Sequence, residues 1–167
     1  MNHAWTCSCC GTQFDTLPLD YAFGAPDRLF QIPKSEREHR SKRDSDVCII
    51  DNKDIYVRGC LEIPIVGQDE RFIWGVWVSV SKASFSRILD LWEAPVVENE
   101  PPISGLLCND INVYPTTLDL KIRLHLRGGN KRPSIELEPT DHPLAIEQRQ
   151  GIPIERAQEI AARSFKH

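Results

Sequence analysis

The chain has 167 residues, of which 41% are hydrophobic and 26% charged, with a formal net charge of -4. That length suits one domain and that apolar share builds a core, which excludes a disordered tail, a coiled coil and a collagen-like repeat. No run approaches the roughly 18 apolar residues of a membrane helix, so no membrane partner is expected, and the mild acidity argues against nucleic acid.

The stretch Met1-Asn2-His3-Ala4-Trp5-Thr6-Cys7 has neither the basic start nor the apolar run of a signal peptide. A cytoplasmic location is therefore expected, where the six cysteines Cys7, Cys9, Cys10, Cys48, Cys60 and Cys108 do not form a disulfide framework. Residues 1–16 form a cysteine knuckle. Residues 17–46 read as irregular structure followed by a polar helix, because Pro33 opens a run of helix formers, 34–43, with no apolar face.

Residues 47–139 read as an antiparallel sheet with an inserted helix. Strands 47–51 and 55–58 flank a turn at Asn52-Lys53, and alternating strands around Leu61–Ile65 and Phe72–Val80 flank a loop, 67–70. Ser81 caps a helix with Phe85, Ile88, Leu89 and Trp92 on one stripe, which Pro95 ends. Strand 118–126 alternates strictly and turns at Gly128-Gly129-Asn130 into 135–138. After an irregular segment, 140–143, a last helix follows Pro153 with Ile154, Ala157, Ile160, Ala161 and Phe165 on one side; Glu155 in its first turn and Arg163 and Lys166 in its last suit the helix dipole. The pattern predicts a single α+β domain, a mainly antiparallel sheet with two or three packing helices.

Four constellations carry chemistry. Cys7-Ser8-Cys9-Cys10-Gly11 contains a Cys-x-x-Cys-Gly knuckle in which Cys7 and Cys10 converge on one ion, and zinc is the expected cofactor. Four ligands are needed, and Cys9, Cys48, Cys60, Cys108 and His3 are the residues available to complete the set. The alternative is a compact turn of small buried thiols. A redox pair would call for a surrounding βαβ pattern, which is missing.

The second follows from hairpin register. If Ile63 pairs with Trp74, then Leu61, Ile63, Ile65, Phe72, Trp74 and Val76 form a core face. The opposite face carries Arg58, Cys60 and Glu62 beside Gly75, Trp77 and Ser79. Arg58, Glu62 and Trp77 would line a small binding groove in the space above Gly75. In the competing reading Arg58 pairs with Glu62 and the final helix covers Trp77.

The third is the polar face Lys121, Arg123 and His125, which Glu136 and Glu138 neutralise if Arg123 faces Glu136 and Lys121 faces Glu138. The fourth is Asp141-His142, a carboxylate and imidazole that serve acid–base chemistry if they converge. Adjacent side chains on an extended chain point apart, so the competing role for Asp141 is to cap the next turn.

Four motifs in order, Cys7-Ser8-Cys9-Cys10-Gly11, Arg58–Pro64 (RGCLEIP), Trp74–Ser79 (WGVWVS) and Glu138–Ala145 (EPTDHPLA), resemble the bacterial domain-of-unknown-function family DUF2199, from about Cys7 to Ile160. The resemblance implies one intracellular bacterial domain and brings no assigned activity. The family pattern often places a histidine where this chain has Phe14, so a zinc ion here relies on Cys9 or a remote cysteine instead. The function expected is a non-catalytic binding or protein-interaction domain, with a protein or small ligand as partner and a structural zinc. The alternative is a small enzyme using the Arg58/Glu62/Trp77 face or the Asp141-His142 loop.

Overall fold

The computed structural model describes residues 4–95, 97 and 99–164. A short antiparallel hairpin, β1 (Trp5–Thr6) and β2 (Gln13–Phe14), leads to β3 (Asp20–Ala22) and α1 (Asp27–Gln31). The expected polar helix ends early. Lys34–Glu36 is a 3-10 turn and α2 spans only Arg37–Arg40, because β4 (Ser41–Arg43) is drawn into backbone pairing with β5 (Val47–Ile50). The turn after β5 centres on Asp51 and Asn52, with φ of 55° and 53°, one residue earlier than expected. Short polar side chains tolerate that left-handed backbone.

β6 (Asp54–Pro64) and β7 (Arg71–Val80) form the long central hairpin. Its register pairs Ile63 with Phe72 and Leu61 with Trp74, two residues away from the expected one. An even slip leaves every side chain on its own face. Leu61, Ile63, Ile65, Phe72, Trp74 and Val76 are accordingly all buried.

The outer edges of this hairpin are each shared. β6 pairs with β5 toward its start and with β10 (Ser134–Leu137) at Cys60, whereas β7 pairs with β3 and then with β8 (Ile103–Leu107). β8, β9 (Lys121–His125) and β10 follow in antiparallel order, so strands β6, β7, β8, β9 and β10 close into a ring. Two joints are parallel, β3 with β7 and β10 with β6, in a sheet that is otherwise antiparallel as expected, and β3 itself lies in a segment expected to be irregular. The closing joint is close-packed at Gly59, where a Cβ would lie 2.8 Å from the Ile135 side chain and 3.0 Å from the Pro133 carbonyl. β9 starts later than the expected strand because Asp119 has φ 65°.

Three helices pack against the main core. α3 (Lys82–Leu91) is capped by Ser81, whose Oγ accepts from Ser84 N at 3.1 Å; it buries Ile88 but exposes Leu89. α4 (Pro143–Gln150) begins at the end of the segment expected to be irregular, 140–143, and precedes the expected last helix; it is started by Pro143 and stopped by Gly151 at φ 81°. α5 (Ile154–Ser164) buries Ala157, Ile160 and Ala161 as its periodicity predicts; Phe165 and Lys166 lie outside the described residues. No described helix is long and apolar enough to cross a membrane.

A second core lies on the other side of the central hairpin, where Ala25, Leu29 and Ile32 cover Cys48, Ile50, Tyr56 and Trp77. Asn109, fully buried, joins its parts: Oδ1 accepts from Trp77 N at 2.8 Å and Nδ2 donates to Ala25 O at 2.9 Å.

Candidate functional site

The N-terminal hairpin folds its cysteines together because Gly11, at φ 74°, turns the chain so that Gly11 N donates to Cys7 O at 2.8 Å and Cys7 N to Thr12 O at 2.9 Å. The sulfurs of Cys7, Cys9 and Cys10 all lie within 4.8 Å of one another, close enough to hold a metal ion. Cys7 is buried, whereas Cys9 and Cys10 are exposed. Cys7 and Cys9 are 2.9 Å apart, and their hydrogen bond pushes the Cys9 thiol up to about 12. Thr12, 3.1 Å from Cys10 Sγ, lowers the Cys10 thiol.

Cys9 thus joins the predicted pair Cys7 and Cys10. Cys48 does not: it is fully buried in the second core. Cys60 sits on β6 in a separate cleft, and Cys108 donates to Leu106 O at 3.3 Å. His3 lies outside the described residues. An all-sulfur donor set fits zinc and other thiophilic ions and is wrong for magnesium or calcium.

The cleft arises where β10 parts from β6. Beyond the Ser134–Cys60 pairing the strands separate, and the Gln148 amide of α4 takes the place of a neighbouring strand: Nε2 donates to Ile135 O and Oε1 accepts from Leu137 N, each at 2.8 Å. At the lower end, Ile152 N donates to Pro64 O at 2.8 Å and Val66 N donates to Ile152 O at 2.9 Å. The opening between has a volume of about 410 Å³ and is lined by Cys60, Glu62, Arg71, His125, Glu136 and Arg149, among others. Its polar side chains face one another, His125 Nε2 being 3.0 Å from Glu136 Oε1 and Glu62 lying 4.0 Å from both Arg71 and Arg127.

The predicted sheet face is therefore split. Glu62 and Cys60 line the cleft. Arg58 and Trp77 face each other in register on the other part of the hairpin, the guanidinium 6.0 Å from the indole centroid. Trp77 is fully buried, covered by the α1 segment rather than the final helix, and its Nε1 donates to Phe23 O at 2.8 Å. Burial lowers the Arg58 pKa, and its Nη1 donates to Ser45 O at 3.3 Å. The space expected above Gly75 is filled by β3, since a Cβ there would lie 3.3 Å from Ala22 Cβ. These contacts remove Arg58 and Trp77 from the groove.

Asp141 and His142 do not form an open acid–base pair. His142 caps α4: Nδ1 accepts from Leu144 N at 3.1 Å, and Nε2 lies 3.0 Å from Thr116 O and 3.1 Å from Pro115 O, to which it donates. Both ring nitrogens are committed to backbone, and the cap is His142 where sequence reasoning favours Asp141. On the basic strand, Arg123 faces Glu136 in the expected register, yet the imidazole of His125 makes the close contact. Sequence reasoning misses Arg71, Ser134, Gln148 and Arg149. The Pro143–Gly151 bracket is the signal that would have placed the last two on a helix.

The chain belongs to the DUF2199 family, described as an uncharacterised protein conserved in bacteria, whose family model matches residues 6–152. No match was found among curated proteins or solved structures.

Proposed function

We propose that this chain is a non-catalytic binding domain that receives an extended segment of a partner protein in the β6–β10 cleft. In this reading a zinc ion on Cys7, Cys9 and Cys10 fastens the N-terminal hairpin. The cleft carries the proposal. It is an opening of about 410 Å³ at a place where two strands part, and its rim alternates acidic and basic groups, Glu62 with Arg71 and Glu136 with His125. Such a rim satisfies itself when empty and exchanges partners with a polar chain of mixed charge. Zinc follows from the donor set, three thiols in four residues with a glycine after the last. The test is selection from a random peptide display library on the zinc-loaded chain, with counter-selection on Glu62→Arg. Enrichment of peptides that the variant fails to retain supports the reading, and binders indifferent to the substitution contradict it.

A further inference from the structure

Resting on the cleft reading above, we infer that the cleft takes its peptide by the main chain, at the backbone N–H and C=O of Glu62. The β6 edge fixes where these groups point. Cys60 N donates away from β7 to Pro133 O at 2.9 Å, and Pro64 O accepts from Ile152 N at 2.8 Å. Along a strand of an antiparallel pair such groups recur at every second residue, which puts those of Glu62 on the same edge. β7 agrees, since Ile73, the residue paired with Glu62, sends its own N–H away from β6 to Leu19 O at 2.8 Å.

A continued parallel ladder would join Glu62 to Glu136, each two residues beyond the Cys60–Ser134 pair. In that ladder Glu62 N would reach Ile135 O, and Leu137 N would reach Glu62 O. Gln148 holds both positions on β10, its Nε2 donating to Ile135 O and its Oε1 accepting from Leu137 N, each at 2.8 Å. One carboxamide thus reproduces the donor and the acceptor of a strand residue. β10 is satisfied without β6, and the backbone pair of Glu62 is left facing the opening that this residue lines.

An extended peptide is the matching occupant, because it carries the same donor and acceptor in its main chain. What Gln148 does for β10, the occupant does for β6. The contact is confined to one residue of β6. Cys60 is already joined to Pro133 on one side and Pro64 to Ile152 on the other, so neither pairs anew without losing a partner. A strand added along a free edge would bond at every second residue. A segment crossing this cleft bonds at one.

An ester scan tests this on the full chain, with a peptide selected for its dependence on Glu62. Each backbone amide of the peptide is replaced in turn by an ester, which removes the N–H and keeps the side chains. The expected result is one sensitive position, weakened about 3- to 10-fold, the range for one net hydrogen bond. In the complex with the unmodified peptide, the Glu62 amide should exchange with solvent at least about tenfold more slowly. Either a flat scan or an unchanged Glu62 exchange rate overturns the inference and leaves the cleft reading standing, since side chains alone would then hold the peptide. Sensitivity at every second amide also overturns it, because Cys60 or Pro64 would have to give up its present partner. If selection returns no peptide that depends on Glu62, the cleft reading itself falls and takes this inference with it.

Discussion

The Tyr114 hydroxyl donates a 2.6 Å hydrogen bond to Oε2 of Glu147. The other carboxylate oxygen accepts from Arg156 Nε at 2.7 Å, and Trp74 Nε1 donates to the Tyr114 oxygen at 3.3 Å. One chain of polar contacts thereby joins β7, the segment before β9, α4 and α5. α4 lines one wall of the cleft with Gln148 and Arg149, so the network supports the site through the fold.

Tyr114→Phe removes a donor and an acceptor from a buried position and is expected to cost about 1–2 kcal/mol. Glu147→Ala leaves two partners short of an acceptor and is expected to cost about 2–4 kcal/mol, moderated by the remaining Arg156–Glu159 pair at 3.1 Å. Urea unfolding of both single variants and the double variant measures the coupling, which should be clearly non-additive.

All three tyrosines ionise late in the folded chain. Burial pushes Tyr21 up to about 12, and burial also raises Tyr56 and Tyr114, the last further by its bond to Glu147. Unfolded tyrosine titrates near about 10. The neutral phenols favour the fold, so their contribution is complete below about pH 10 and falls as pH rises toward 12, where the unfolded chain has already released its protons. Phenolate absorbance of the native protein should show no step at the ordinary value, and in concentrated urea all three should titrate together.

Gly59→Ala should strain the ring where β10 meets β6, because the new methyl would press on Ile135 and the Pro133 carbonyl. The expected cost is about 1–3 kcal/mol. Hydrogen exchange should quicken first at Cys60, whose N–H donates to Pro133 O at 2.9 Å. Equal acceleration throughout the chain would contradict a local seam.

The local patterns were legible in the sequence, and the long-range closures were not. Alternation placed Leu61, Ile63, Phe72 and Trp74 on the core face even with the register displaced by two, because the two faces repeat at that interval. Which residue lies opposite which was lost with that displacement: the expected register sets Trp77 opposite Cys60, whereas it lies opposite Arg58. The parallel joints of β3 with β7 and β10 with β6 connect segments distant in sequence and leave no periodic trace. Without them neither the cleft nor the filling of the space above Gly75 could be foreseen. The thiol cluster was readable because its members are adjacent, though the third sulfur depended on how the hairpin turns.

Metal content separates the two readings of that cluster. Elemental analysis of the chain purified without chelator should find zinc in the wild type and none in Cys7→Ser, with a lower melting temperature in the variant. A metal-free wild type that melts as the variant does would mean that the three thiols are only packing groups.

The most direct measurement is amide chemical-shift mapping of the folded chain with a selected peptide. The account predicts perturbations concentrated at Cys60, Glu62, Ser134–Leu137 and Gln148, lost in Glu62→Arg. Saturable binding that leaves these amides unmoved and shifts others would contradict it.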